Sequence, residues 1–279
     1  MAQQGGAAVV DFYERHPISE AQVMAALRRR GLPGGHRVSP DDLVELDQDH
    51  YGGPDAVETL ARCAGIGAAS RVLDVCAGLA GPARVLAHRR GCRVVACELT
   101  HGRAAGGARL TRLVGLGGRI AVVQADALSL PFGAASFDAC ISQEGLLHIE
   151  QRAVVLAECH RVLASGGRLA FTDWIARPRL GEREREQLRR WMAATTLQTL
   201  EGYRSLVGRA GFSAVEAEDV SVEWRSILRE RLAKFRATRA EAVGTLREVR
   251  YAEYDQLFTF FVGLVEDSKL GGGRFSATR

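Results

Sequence analysis

The chain is predicted to fold as a doubly wound α/β sheet. Three observations carry this. Short apolar runs of strand length recur along the middle of the chain. Helix-like segments separate them, the pattern of a parallel sheet covered on both faces. The first run, Arg71-Val-Leu-Asp74-Val75, leads into the glycine-containing turn Cys76-Ala-Gly78-Leu-Ala-Gly81 and then a helix-like stretch. Such a turn brings backbone N–H groups against a ligand at the carboxyl end of a parallel strand. The right-handed crossover rule makes a doubly wound sheet the natural topology.

Taken in order, Ala8 to Arg30 reads as an amphipathic helix with Phe12, Val23, Met24 and Leu27 on its apolar side. Gly31 to Gly35 breaks it. Ser39-Pro40 then marks a helix start, Ser39 as cap and Pro40 in the first helical position. A helix over Asp55 to Ala64 leads into the core. Strands are expected near Arg71–Val75, Arg93–Glu98, Ile120–Gln124, Phe137–Ser142 and Arg168–Asp173. Helices are expected near Gly81–Arg90, Gly102–Val114 and Gln151–Val162. Beyond them the pattern predicts a long charged helix over Leu180–Leu200 and another from Thr199 to Gly211-Phe212. A sixth strand over Ala214–Val220 and an Arg/Glu-rich helix over Trp224–Val249 follow.

Composition narrows the class. The 279 residues suit one α/β domain with an added subdomain. Hydrophobic content of 47% and charged content of 25% are those of a globular protein. The net charge of +4 is modest, and arginines such as those of Arg183–Arg190 read as a solvated helix face. No nucleic-acid partner is expected. No apolar run approaches the ~18 residues of a membrane span, and Met1–Ala8 contains no signal-peptide core. The expected setting is cytoplasmic, with no membrane partner. Six cysteines show no metal-ligand spacing and read as reduced thiols. No metal is expected. Cys76 stands apart because it sits in the glycine turn.

The later motifs give the chain a resemblance. Val94-Val95-Ala96-Cys97-Glu98 is a second strand ending in an acid, 17 residues after Gly81. That is close to the roughly 20-residue offset of a ribose-binding carboxylate. Ile120 to Phe132 contains Asp126-Ala127. Phe137 to Ile149 contains Gln143-Glu144-Gly-Leu-Leu-His148. Arg161 to Trp174 contains Gly166-Gly167 and Phe171-Thr172-Asp173-Trp174. In this order and spacing the set resembles the class I S-adenosylmethionine-dependent methyltransferases, over about Gly65 to Phe212. With His50-Tyr51-Gly52-Gly53 added, it is similar to their small-molecule branch. That branch contains the glycine, sarcosine and dimethylglycine N-methyltransferases, the phosphoethanolamine methyltransferases and natural-product methyltransferases.

The resemblance implies a Rossmann-like seven-stranded sheet whose antiparallel last strand is Gly271–Arg279. The implied division is a helical N-terminal lid (1–64), a cofactor-binding core (65–220), a helical cap insertion (221–270) and the final strand (271–279). The implied cofactor is S-adenosylmethionine, leaving as S-adenosylhomocysteine. Asp74 would hold its ammonium group, and Cys76, Gly78 and Gly81 would line its turn. Glu98, with Leu99 beside it, would bind the ribose diol. Asp126 and Ala127 would bind the adenine, and Gln143 the methionine portion. A solvated strand-end acid is the alternative for Glu98, a helix cap for Asp126, and helix-on-sheet packing for the glycines. The family pattern has Gly at Cys76 and often at Ala80.

Methyl transfer needs alignment and a deprotonated nucleophile. Glu144 and His148 lie four apart and share a helical face. The resemblance places His148 near the acceptor, paired with Tyr13 or Tyr51; the alternative is a packing histidine. Trp174 can wall a cationic amine, and Arg177 and Arg179 can bind an acceptor anion. The expected reaction is methyl transfer to a small molecule, first to an amine nitrogen. A carbon or oxygen of a specialised metabolite is the alternative, and a non-catalytic cofactor-binding protein a further one. A homodimer is compatible with this reading.

Overall fold

The computed structural model describes residues 9, 10, 12, 13, 18–32, 37–48 and 50–279. The remainder of the expected Ala8–Arg30 helix, and the breaker beyond Leu32, lie outside the described residues. Seven strands are present: β1 (Arg71–Val75), β2 (Arg93–Glu98), β3 (Ile120–Gln124), β4 (Phe137–Gln143), β5 (Leu163–Ala176), β6 (Ser213–Asp219) and β7 (Leu270–Thr278). They form one sheet in the order β3-β2-β1-β4-β5-β7-β6. The first five pair in parallel, and β7 runs antiparallel between β5 and β6. The strand order reverses between β1 and β4, so a crevice is expected at their carboxyl ends.

Side chains alternate across the sheet. Leu73, Val75 and Cys140 face one apolar cluster, with Val155, Leu156 and Tyr203. Val72, Ala139 and Ile141 face the other, with Val57, Leu60 and Ala83. The covering helices are α3 (Gly53–Cys63) and α4 (Gly81–Arg90) on the second face, and α6 (Arg152–Val162) and α8 (Leu200–Arg209) on the first. Helix α5 (His101–Leu113) follows β2. Before the core, α1 (Glu20–Arg29) docks on α5 through Arg109 Nε donating to Glu20 Oε1 at 2.6 Å. Helix α2 (Pro40–Val44) starts as its sequence dictates: Ser39 and Asp42 form a capping box and Pro40 opens the helix.

Two long helices differ from expectation. The Leu180–Leu200 segment forms α7 only over Glu182–Met192. Ala193 adopts φ 48°, a left-handed conformation that ends the helix. Thr199 then caps α8 by accepting from Gly202 N at 2.9 Å. The Trp224–Val249 segment belongs to two helices, α9 (Ser221–Ala237) and α10 (Arg239–Glu266), parted at Thr238. Phe235 stacks on Tyr251 at 4.7 Å, and Arg236 and Arg229 reach Asp255 and Glu266, so the helices run antiparallel. This hairpin stands between β6 and β7 in sequence and packs its Trp224, Leu228, Phe261 and Leu264 against Trp174 and Leu147. Strand β5 is longer than expected at both ends: Leu163 pairs with Phe137 of β4, and pairing with β7 carries the other end to Ala176↔Leu270.

Candidate active site

A cavity of about 620 Å³ opens at the carboxyl ends of β1, β2, β3 and β4. At its inner end lies the turn after β1. Ala77 N donates to Cys97 O at 2.9 Å, tying the turn to β2. Cys76, Gly78 and Ala80 all have positive φ, 60°, 56° and 60°. The two positions where this sequence lacks the family's glycine thus hold side chains in a region costly for L-residues. Gly145 makes room for one of them: a Cβ there would lie 2.5 Å from Cys76 Cβ. A Cβ on Gly78 would press on Arg103 Nη2 at 2.8 Å.

The acids at the strand ends differ in their surroundings. Asp74 is buried, and its Oδ2 has no hydrogen-bond partner. Burial, with the Glu98 charge behind it, pushes its pKa up to about 8. Glu98 accepts from Gly78 N (2.9 Å), Thr100 N (2.8 Å) and Thr100 Oγ1 (2.7 Å). A carboxylate offers about four lone-pair directions, so about one remains, fewer than a bidentate grip on a diol requires. Asp126 accepts from Leu128 N at 2.9 Å and closes a turn; no helix begins there.

The other side of the cavity is built by the segment before α3. Asp47 Oδ2 takes the buried Arg84 guanidinium at 2.7 and 3.1 Å. Gln48 Nε2 donates to Asp47 Oδ1, and Gln48 Oε1 meets His50 Nε2 at 2.6 Å. The His50 Nδ1 is 3.0 Å from Gln143 Nε2. Nδ1 also lies 3.3 Å from Tyr51 O, but the shorter contacts to Gln48 and Gln143 favour the proton of His50 on Nε2. Burial lowers His50 to about 4, so it is neutral. Gln143 Oε1 is left buried without a partner beside the Asp74 turn. Tyr51 N donates to Glu144 Oε2 (2.9 Å) and Thr172 Oγ1 to Glu144 Oε1 (2.6 Å). Burial nevertheless raises Glu144 to about 8.

His148 closes a single 3₁₀ turn, Leu146–His148, after β4. Its Nε2 is 2.9 Å from the Tyr13 hydroxyl, and its Nδ1 is 3.3 Å from Ala193 O. A carbonyl only accepts, so Nδ1 carries the proton and the Nε2 lone pair faces Tyr13. Burial lowers His148 to about 4, helped by the charges of Arg152 and Arg103. Burial pushes the Tyr13 hydroxyl above its ordinary pKa, so it remains a donor. Arg103 caps the Tyr13 ring at 4.5 Å. Tyr51 does not reach His148 in this way; it packs on Trp174 and Trp224 under the Arg231 guanidinium.

Beneath His148 lies a buried network. Arg152 donates to Leu147 O (3.0 Å), Thr195 Oγ1 (3.2 Å) and Tyr203 Oη (3.0 Å). The Tyr203 hydroxyl donates to Asp173 Oδ2 at 2.5 Å.

Of the residues singled out from sequence, Tyr13, Tyr51, Asp74, Cys76, Gly78, Glu98, Leu99, Asp126, Ala127, Gln143, Glu144 and His148 all line the one cavity. Gly81 does not; a Cβ there would strike Asp47 O at 2.6 Å, so it serves close packing of α4. Arg177 is turned away and pairs with Asp219. Sequence reasoning missed Asp47, Gln48, Arg103, Arg152 and Arg231. The polar run leading into His50-Tyr51 was a signal for the first two. Among the described residues no group of three or more His, Cys, Asp or Glu is placed to hold a metal ion. No helix among them is long and apolar enough to cross a membrane.

Residues 73–171 match the family model described as a methyltransferase domain. The chain is 31% identical to methyltransferase GfsG of Streptomyces halstedii over 196 residues, covering 64% of this chain and 70% of that one. The chain belongs to the S-adenosylmethionine-dependent methyltransferases. It is also 30% identical over 156 residues to the 27-O-demethylrifamycin SV methyltransferase of Amycolatopsis mediterranei, covering 55% of this chain and 56% of the relative. The fold is that of Haemonchus contortus phosphoethanolamine N-methyltransferase 2, with a TM-score of 0.79 at 20% identity, over 97% of this chain and 60% of that one. The chain thus spans little more than half the length of those two proteins. As a methyltransferase of this family it uses S-adenosylmethionine.

Proposed function

We propose that this methyltransferase transfers the cofactor methyl to a hydroxyl oxygen of an apolar small molecule. The observation that carries the reading is the neutral His148, whose Nε2 lone pair faces the cavity through the Tyr13 hydroxyl. The cofactor fits the inner end. Asp74 Oδ2 and Gln143 Oε1 are buried acceptors without partners, suited to an ammonium group. Glu98 has one direction left for a ribose hydroxyl, and the Asp126–Ala127 turn is open to the adenine. Bound there, S-adenosylmethionine supplies a methyl group on a good leaving group and departs as S-adenosylhomocysteine.

The residues of this chain then have three tasks. Tyr13 and Arg103 cover the site and exclude water. The acceptor hydroxyl donates to Tyr13 Oη, and Tyr13 passes its own proton to His148 Nε2. A histidine held near 4 is too weak a base to take a proton from an alkylammonium, which resembles lysine at about 10.4. It suffices for an oxygen that becomes strongly acidic as its new bond to carbon forms. Walls contributed by Leu147, Met192, Trp191 and Phe258 suit an apolar body.

An amine nitrogen is the second reading. Trp174 lines the cavity, and an aromatic face receives a cation. The Tyr51 face is already covered by Arg231 at 4.7 Å.

The test uses cofactor labelled in the methyl group and a panel of hydroxylated and aminated apolar metabolites, with the product position read by NMR. Label on oxygen, and a rate roughly 10²-fold lower in His148→Gln with cofactor affinity unchanged, is expected. Label on nitrogen, or a full rate without His148, overturns the oxygen reading.

A further inference from the structure

The cavity continues outward from the inner site to the helical hairpin. Residues that α9 and α10 contribute to its wall are aromatic or apolar, such as Phe235, Leu257, Phe258 and Phe261, apart from Tyr254 and two cations. The cations are Arg231 and Lys234. They lie three residues apart on α9, and so on one face of it. Among the described residues no acid of either helix lines the cavity.

Their surroundings differ from those of Arg229 and Arg236 on the same helix; Arg225, which does not line the cavity, also lacks a salt bridge, and its Nε is buried without a partner among the described residues. Arg229 pairs with Glu266 and Arg236 with Asp255, each at 2.6 Å. Arg231 instead donates one N–H to His50 O at 3.0 Å and lies over Tyr51. Neither Arg231 nor Lys234 has a carboxylate partner within salt-bridge distance among the described residues. Glu144 is the acid whose titration senses Arg231. Its two oxygens are taken by Thr172 and Tyr51, and burial favours its neutral form. Arg231, half-buried, and Lys234, exposed at the rim, thus present two positive charges without a carboxylate partner to a cavity wall that is otherwise aromatic and apolar on this side. Partial burial of the Arg231 guanidinium without a counter-charge is costly, and a ligand anion would compensate it, with Lys234 beside it adding attraction. The planar fork of Arg231 retains N–H donors for such a group.

We propose that Arg231 and Lys234 form an anion subsite, so that the acceptor is an apolar molecule carrying a carboxylate or phosphate at the end remote from the methylated atom. This rests on reading the inner end of the cavity as the cofactor site. The subsite would fix which end of the acceptor enters first, and would reject uncharged analogues of the same shape.

The experiment separates the two readings. Calorimetry first measures S-adenosylhomocysteine binding to the protein and to Lys234→Gln. Three probes of one shape are then titrated into the product-loaded protein: 2-naphthoate, 2-naphthyl phosphate and the neutral 2-naphthalenemethanol. At least one anion should bind roughly tenfold or more tightly than the alcohol, the scale of a charge-assisted contact. That advantage should shrink in Lys234→Gln, recover in Lys234→Arg and fall with salt. The stronger of the two anions identifies the head group. If S-adenosylhomocysteine fails to bind, the cofactor reading fails. If it binds and no anion is preferred over the alcohol, including the case where none of the three binds, the subsite is refuted. An anion preference that Lys234→Gln leaves intact refutes it as well.

Discussion

Replacing Arg152 by Gln should damage both the fold and the state of His148, in separable ways. The guanidinium is 1% exposed and holds Leu147 O, Thr195 Oγ1 and Tyr203 Oη. Leu147 O also accepts from Thr195 N at 3.0 Å. Arg152 thus clamps the turn carrying His148 to the segment whose Ala193 carbonyl fixes the His148 tautomer. Its counter-charge is Asp173, reached through Tyr203 and itself raised to about 6 by burial. Removing one side of a buried, compensated charge costs about 3–5 kcal/mol. With an unfolding entropy of about 2.1 cal/mol/K per residue, that is roughly 5–8 °C of Tm for a chain of this size.

The second effect is on protonation. Arg152 is one of the charges that disfavour His148⁺. His148 accepts a proton only as pH falls through about 4, and a base-dependent rate is lost along that limb. Without the Arg152 charge the limb moves to higher pH. It does not return to the ordinary 6.5, because burial is the larger cause. NMR titration of the His148 ring in product-loaded protein, assigned with His148→Ala, reads this directly. Arg152→Lys keeps the charge and loses the fork, so its titration should stay put while Tm falls. An Arg152→Gln protein with unchanged Tm, or with His148 titrating as before, would refute the reasoning.

Further outcomes follow from the same geometry. Asp47→Ala should lower stability by about 3–5 kcal/mol because Arg84 stays buried without its partner. Adding Arg84→Met should recover most of the loss in the same denaturant titration, and no recovery would mean that Asp47 acts otherwise. Burial pushes Asp74 up to about 8, so a cofactor ammonium that favours its ionised form must displace its proton. Affinity should rise as pH rises toward about 8 and fall where the cofactor's own amino group loses its proton, with proton release below that range visible by calorimetry in buffers of different ionisation enthalpy. Asp74→Asn should abolish the release; an unchanged release assigns it elsewhere. His50, held neutral near 4, contributes stability present above about 6.5 and lost as pH falls toward 4. His50→Gln should flatten that part of the stability curve, measured by thermal melts across pH.

Much of this was legible in the sequence because strand and turn signals are local. The edges of β2 and β3 fall where apolar runs end in Glu98 and Gln124, and β1 ends one residue past Asp74; the acids predicted to meet do line one cavity. What failed was decided at a distance. The α7 helix stops at Met192 because Ala193 adopts φ 48° and Thr195 N bonds Leu147 O, a contact invisible from residues whose helical propensity is good. The break at Thr238 likewise serves the docking of α10 on α9 rather than any local breaker such as Gly or Pro. The buried arginines were missed for a related reason. In a sequence Arg84 and Arg152 look like solvated helix charges, and the partners that offset their burial are distant, among them Asp47, 37 residues away, and Tyr203, 51 away. The same reasoning turns Cys76 and Ala80 from departures into information. A turn that keeps positive φ without glycine is held by its surroundings, here Cys97 O from below and the space left by Gly145 from above. Such a turn is stiffer than a glycine one, so it is ordered before the cofactor arrives, and less of the binding free energy is spent on ordering it.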